Sequence, residues 1–183
     1  VSEDWNAVSA VTAATISIDG GVDAVVSTGT QVFTGATVLG ANTTMTASNS
    51  GTLSSITFDG TLNSSASNAR TLGLTGNAVF EGAVGGVTDG SLGSLTVSGT
   101  SAIDGGSVNT TGAQTYTGAA TLGATTTLAS TSTGDIDFKS TLDGGYSLAV
   151  NTAGATIFGG AVGNATELLS LTTDADGTVQ IDG

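Results

Sequence analysis

The sequence predicts an all-β fold, a parallel β-solenoid (β-helix) with coils of about 20–25 residues. Three observations lead there. A 20-residue phrase occurs twice without a gap. Thr28–Ala47 reads TGTQVFTGATVLGANTTMTA, Thr111–Ser130 reads TGAQTYTGAATLGATTTLAS, and 11 of the 20 positions are identical. A shorter period runs inside that repeat. Large apolar residues also alternate with Thr along the chain, which is the two-residue period of a strand.

The repeat organises the whole chain. SIDGG at Ser17–Gly21 returns as AIDGG at Ala102–Gly106 and as QIDG at Gln180–Gly183. Between these landmarks the order of phrases is kept. TFDGTL (57–62) answers DFKSTL (137–142), VFEGAVGG (79–86) answers IFGGAVGN (157–164), and SLGSLTV (91–97) answers ELLSLTT (167–173). Residues 1–20 read as the tail of a preceding unit, residues 21–105 as one unit and residues 106–183 as the next, in one continuous solenoid. An array that starts and stops out of phase is expected to be cut from something longer.

Within each unit an aromatic is followed by x-Gly/Ser-Ala/Thr. The slots are Phe33, Phe58, Phe80, Tyr116, Phe138 and Phe158, with spacings of 25, 22, 36, 22 and 20 residues. Stacked coils would place these rings in one internal ladder. In the first copy Phe33, Thr37, Leu39, Thr43 and Met45 share one parity, with Thr34, Ala36, Asn42, Thr44 and Thr46 on the other. Tyr116, Ala120, Leu122 and Leu128 repeat the pattern in the second. Thr, Val and Gly are poor helix formers, and Gly, Asn, Asp and Ser supply the corners. The IDGG strand does not fit one ladder. Ile103 precedes Tyr116 by 13 residues, too few for a coil, so it belongs on another face or at a bulge. The rival fold is a string of Ig-like sandwiches, because 78–85 residues is close to that domain size. The inner period, and the lack of a core Trp in either full unit, favour the solenoid.

Composition narrows function. Only 9% of residues are charged, and 15 acids face two bases, Arg70 and Lys139, for a net charge of −13. Nucleic acid and anionic membrane both require clustered Lys and Arg, so neither is an expected partner. No run of 18 apolar residues offers a membrane span. With no Cys and no His, thiolate clusters, Ser–His pairs and His-based metal sites are excluded. No GxSxG or Walker-type phrase occurs. The expectation is a protein that is not an enzyme and takes no cofactor.

The oxygen-rich exceptions are two Asp pairs. Asp135 and Asp137 in GDID share one side of a strand, and Asp174 and Asp176 in DADG mark a corner. Such corners can bind calcium, but neither pair recurs in the other unit, and solvated acids keep a low-charge fibre soluble. No metal is therefore expected, and these four residues are the calcium candidates. Asn42, Asn63, Asn109 and Asn164 head N-x-Ser/Thr triplets, which arise by chance in so Thr-rich a chain. Trp5, in SEDWN, stands outside the repeat and is a candidate cap, junction or ligand contact.

Phrases such as GSVNTTGAQTYTGAATLGATTTLAS (106–130) and AGATIFGGAVGNATELLSLTTDADGTVQIDG (153–183) resemble the Thr/Gly-rich β-strand repeats of giant bacterial surface proteins, the filamentous-haemagglutinin-like and autotransporter-like adhesins. The resemblance spans nearly the whole chain and rests on repeat style. It implies an extracellular or cell-surface location and a stalk or binding module. Partners would be neighbouring repeats of the same protein, or glycans and proteins on a host or neighbouring cell. It carries no catalytic residue. The alternative is a self-assembling element of an extracellular filament or sheath.

Overall fold

A computed structural model describes residues 10–65, 69–86, 88 and 90–183. Trp5 lies outside them. The described residues contain 21 strands and no helix. All strand pairs but one are parallel, and they stack into a β-solenoid of eight turns, here coils 1–8.

Each coil has three sides. The first face runs through the start of Val11–Ile18, the start of Gln31–Leu39, then Ser55–Phe58, Asn77–Phe80, Ser101–Ile103, Ala120–Leu122 and Leu142–Asp143. The second takes the ends of the first two strands, then Leu62–Ser64, a bridge at Val84, Ser107–Thr110, Thr126–Ser130, Ser147–Thr152 and Ser170–Thr173. The third is Val25–Ser27, Thr43–Asn49, Thr71–Thr75, Ser94–Val97, Gln114–Tyr116, Ile136–Phe138, Ala155–Phe158 and Thr178–Ile181. Successive turns lie about 4.8 Å apart. The exception to parallel pairing is a hairpin in coil 2, where Ser48 and Asn49 oppose Leu53 and Thr52. Ser50 and Gly51 both have positive φ, 48° and 87°, as a tight two-residue turn demands.

The alternation holds as expected, and all six aromatic slots are buried. They form two ladders, however, not one. Phe33, Phe58 and Phe80 stack on the first face at centroid distances of 5.3 and 5.9 Å. Tyr116, Phe138 and Phe158 stack on the third at 4.9 and 5.7 Å. Above Phe80 the first ladder continues through Ile103 and Leu122. Below Tyr116 the third runs back through Val97, Leu74, Met45 and Val25. The misplaced IDGG strand is thus explained: Ile103 is a rung of a different ladder from Tyr116.

The cause is the length of the repeat. Phe33 stands on the first face of coil 2 and its counterpart Tyr116 on the third face of coil 5. One unit therefore advances three turns and two faces. The same displacement carries Phe58 to Phe138, Leu95 to Leu171, and Ile18 through Ile103 to Ile181, which stand on the second, first and third faces in turn. The chain repeats by a screw operation whose angle is not a whole turn.

The corners explain the glycine content. Between the first and second faces Gly35, Gly60, Gly82 and Gly105 form a column in which a Cβ on each of the last three would overlap the backbone of the glycine one coil earlier. Gly93, Gly112, Gly134, Gly154 and Gly177 form the second column, and Gly76, Gly99, Gly118, Ser140, Gly160 and Gly183 the third. Coils turn so tightly at these points that a Cβ on most of these glycines would meet the backbone of the coil before, Ser140 being the one residue of the columns that carries a side chain.

Buried glutamines brace the corners in both units. Gln31 Nε2 donates to the Val25 carbonyl, Ser27 Oγ and the Thr46 carbonyl. Gln114 Nε2 donates to Val108, Thr110 Oγ1 and Ala129 at the same sequence offsets. Gln114 Oε1 also accepts from the Tyr116 hydroxyl at 2.9 Å, whereas Phe33 has no hydroxyl and Gln31 Oε1 is buried without a partner. Burial pushes the Tyr116 hydroxyl far above its ordinary pKa, so it remains a donor. Phe33→Tyr should stabilise the protein by about 0.5–1.5 kcal/mol, the net value of one hydrogen bond. Tyr116→Phe should cost about 1–3 kcal/mol, because it orphans a buried acceptor. Urea titration of both variants checks the pair, and equal midpoints for all three proteins would refute it.

Candidate functional site

The outward positions of each strand are mostly Thr, Ser, Ala and Asn, a consequence of the two-residue period. Among the described residues two hollows stand out. One lies beside coil 1, lined by Val11, Ile16, Ile18, Val25 and Phe33, with Asp19 as its one carboxylate. Asp19 Oδ1 there accepts from Ser17 Oγ at 3.0 Å. The other crosses the third face, where Gly73 leaves a dent between Thr44 and Thr96. Neither brings two titratable side chains together.

The calcium candidates are placed as follows. Asp137 lies in the strand Ile136–Phe138 and Asp135 immediately precedes it, and each has a protein partner. Asp135 Oδ1 accepts from the Ala155 N–H at 2.7 Å. Asp137 Oδ2 pairs with Lys139 Nζ at 2.8 Å. That pair is half exposed on the lysine side, so it adds little to stability. Asp174 and Asp176 are exposed in the corner of coil 8. Among the described residues no three carboxylates converge. Chelation is expected to move the melting midpoint only slightly. A site held at 100 times its dissociation constant would contribute about 2.7 kcal/mol, so a large fall in midpoint on adding chelator would establish a calcium-rigidified fibre.

The two bases lie in different coils. Arg70 precedes the third-face strand of coil 3 and Lys139 follows that of coil 6. Among the N-x-Ser/Thr triplets, Asn63 is buried while Asn164 is exposed in the loop of coil 8. Among the described residues no helix is long and apolar enough to cross a membrane.

Coil 8 is the last described turn. Leu169, Leu171, Val179 and Ile181 are exposed, at 76, 39, 50 and 68%. Their strands pair with those of coil 7. Leu171 and Ile181 answer Leu95 and Ile103, which are wholly buried. Comparison with protein-family models, curated proteins and solved structures returned no match.

Proposed function

We propose that this chain is a non-catalytic segment of an extracellular bacterial surface adhesin, acting as a stalk or binding module. The observation that carries the reading is the uninterrupted stack. Because each coil leans only on its neighbours, added units lengthen the rod without changing its cross-section. That is what a spacer projecting from a cell surface requires. The proposed partners are surface glycans or proteins of a host or neighbouring cell, met by the Thr- and Ser-rich outer faces. Nucleic acid is disfavoured by the net charge of −13, since a polyanion releases no counterions to an acidic surface. The second reading is a self-assembling element of an extracellular filament or sheath, which the same axial stack of coils supports.

Beads coated with the pure protein, offered to cells and to a glycan array, test the first reading. Selective capture supports a binding module. Rods of fixed width in electron micrographs, without capture, support a stalk. Compact particles, or turnover of a polysaccharide, would overturn both.

A further inference from the structure

We infer that Asn164 is the acceptor of an N-linked glycan, selected by the fold from the four N-x-Ser/Thr triplets of the chain. An acceptor must offer two groups at once, the Asn amide and the hydroxyl two residues on. The coil treats those groups differently in each triplet. Asn63 is 5% exposed within the strand Leu62–Ser64. Asn109 lies in the strand Ser107–Thr110, and its Nδ2 donates to the Gly85 carbonyl at 3.4 Å. The hydroxyl of its triplet, Thr111 Oγ1, donates to the carbonyls of Leu92 and Gly93. Asn42 Oδ1 accepts from the Thr71 N–H at 3.1 Å, and Thr44 Oγ1 accepts from the Asp23 N–H.

The fourth triplet is arranged the other way, with its backbone fixed and its side chains in solvent. Asn164, Ala165 and Thr166 are exposed in the loop between Ala155–Phe158 and Ser170–Thr173. Asp143 Oδ1 accepts from the Ala165 and Thr166 N–H groups at 2.8 and 3.1 Å. The Gly144 N–H donates to the Thr166 carbonyl at 3.1 Å. Among the described residues neither the Asn164 amide nor the Thr166 hydroxyl has a hydrogen-bond partner. Place in the phrase, and not height on the rod, accounts for the exposure. Gly86 and Thr88 hold the corresponding positions in the first unit. Both are exposed, although coil 5 stacks on that turn through Val84 and Val108. With Gly86 where Asn164 stands, the first unit has the loop without the acceptor.

The donor class is a sugar activated as a diphosphate ester. Asn164 Nδ2 bonds to the anomeric carbon as the bond from that carbon to the diphosphate oxygen breaks. The electron pair leaves on the diphosphate, and one Nδ2 proton passes to a base of the transferase. Such donors are carried on a lipid or on a nucleotide, and the acceptor chemistry is the same for both. The attached glycan is bulky and solubilising, on a rod in which only 9% of residues are charged. The inference concerns the loop and stands apart from whether the fibre binds cells.

The folded chain is offered to an oligosaccharyltransferase with a lipid-linked oligosaccharide and, in a second arm, to a soluble N-glycosyltransferase with a nucleotide sugar. Peptide mass spectrometry reads the occupancy of all four asparagines. Asn164 should be modified at least about tenfold faster than any of the others, which need local opening of the coil first. Success in one arm alone identifies the carrier. Short peptides spanning the four triplets should lose that preference, because no coil holds them. Asn164→Gln and Thr166→Ala should each abolish modification of the loop and leave the melting midpoint unchanged. Modification of Asn42, Asn63 or Asn109 in the folded chain at the rate of Asn164 would overturn the inference. So would an unmodified Asn164 in both arms.

Discussion

Phe138→Ala is expected to be the most damaging single truncation in the core. Phe138 is 1% exposed and is the middle ring of three, with Tyr116 at 4.9 Å and Phe158 at 5.7 Å, nearly parallel to both. Removing it leaves a cavity costing about 3–5 kcal/mol, and two ring contacts of about 0.5–1.5 kcal/mol each disappear as well. Phe158→Ala should cost less, because Phe158 has one ring neighbour and its other side meets Ile181, itself 68% exposed. The loss should also be directional. Coils couple only to neighbours, so amides of coils 6–8 should lose protection before those of coils 1–4. Denaturant titration and residue-resolved exchange measure both effects. Uniform loss along the chain, or equal costs at the two positions, would contradict the ladder.

Gly82→Val is the second large effect. A Cβ at Gly82 would overlap the carbonyl of Gly60, and Gly105 presses on Gly82 from the next coil. The clash is with backbone, so no rotamer relieves it, and coils 3 and 4 must separate at that corner. Overpacking of this kind costs about 1–3 kcal/mol, occasionally more. A branched Cβ held against a ladder of hydrogen bonds belongs at the top of that range. Ser140, which holds the equivalent place in the third column, provides the contrast: Ser140→Gly should change the midpoint little. A Gly82→Val protein that melts with the parent would show the corner to be looser than described.

The inward and outward assignments were legible because strand parity is local. Phe33, Leu39, Met45 and Leu128 are buried where alternation puts them. The coil length was legible too, from the aromatic spacings. What the sequence could not display is which side of the coil a phrase occupies. Tyr116 and Phe33 share a phrase, yet their faces differ because the repeat is not a whole number of turns. The 36-residue gap from Phe80 to Tyr116 is the visible trace of that mismatch. The hairpin at residues 48–53 was hidden because its counterpart in the second unit is shorter, so the repeat gave no template. Of the candidate site, the corner that holds Asp174 and Asp176 could be read, whereas Asp135 falls just outside the strand that carries Asp137. The hydrogen bond from Ala155 to Asp135 could not be read, since it joins residues 20 apart that only the coil brings together.

The screw relation between units has a consequence for how such a chain avoids tangling with itself. Proteins made of near-identical modules risk exchanging one copy for another during synthesis, since each finds its own likeness nearby. Here the counterparts of the two units never touch. Where one unit meets the next, a phrase rests on differently worded strands, as Tyr116 rests on Val97 and Ile103 on Phe80. A slip by a whole unit requires the strand to travel around the rod as well as along it. Near-duplicate text, wound at this pitch, reads in one order only.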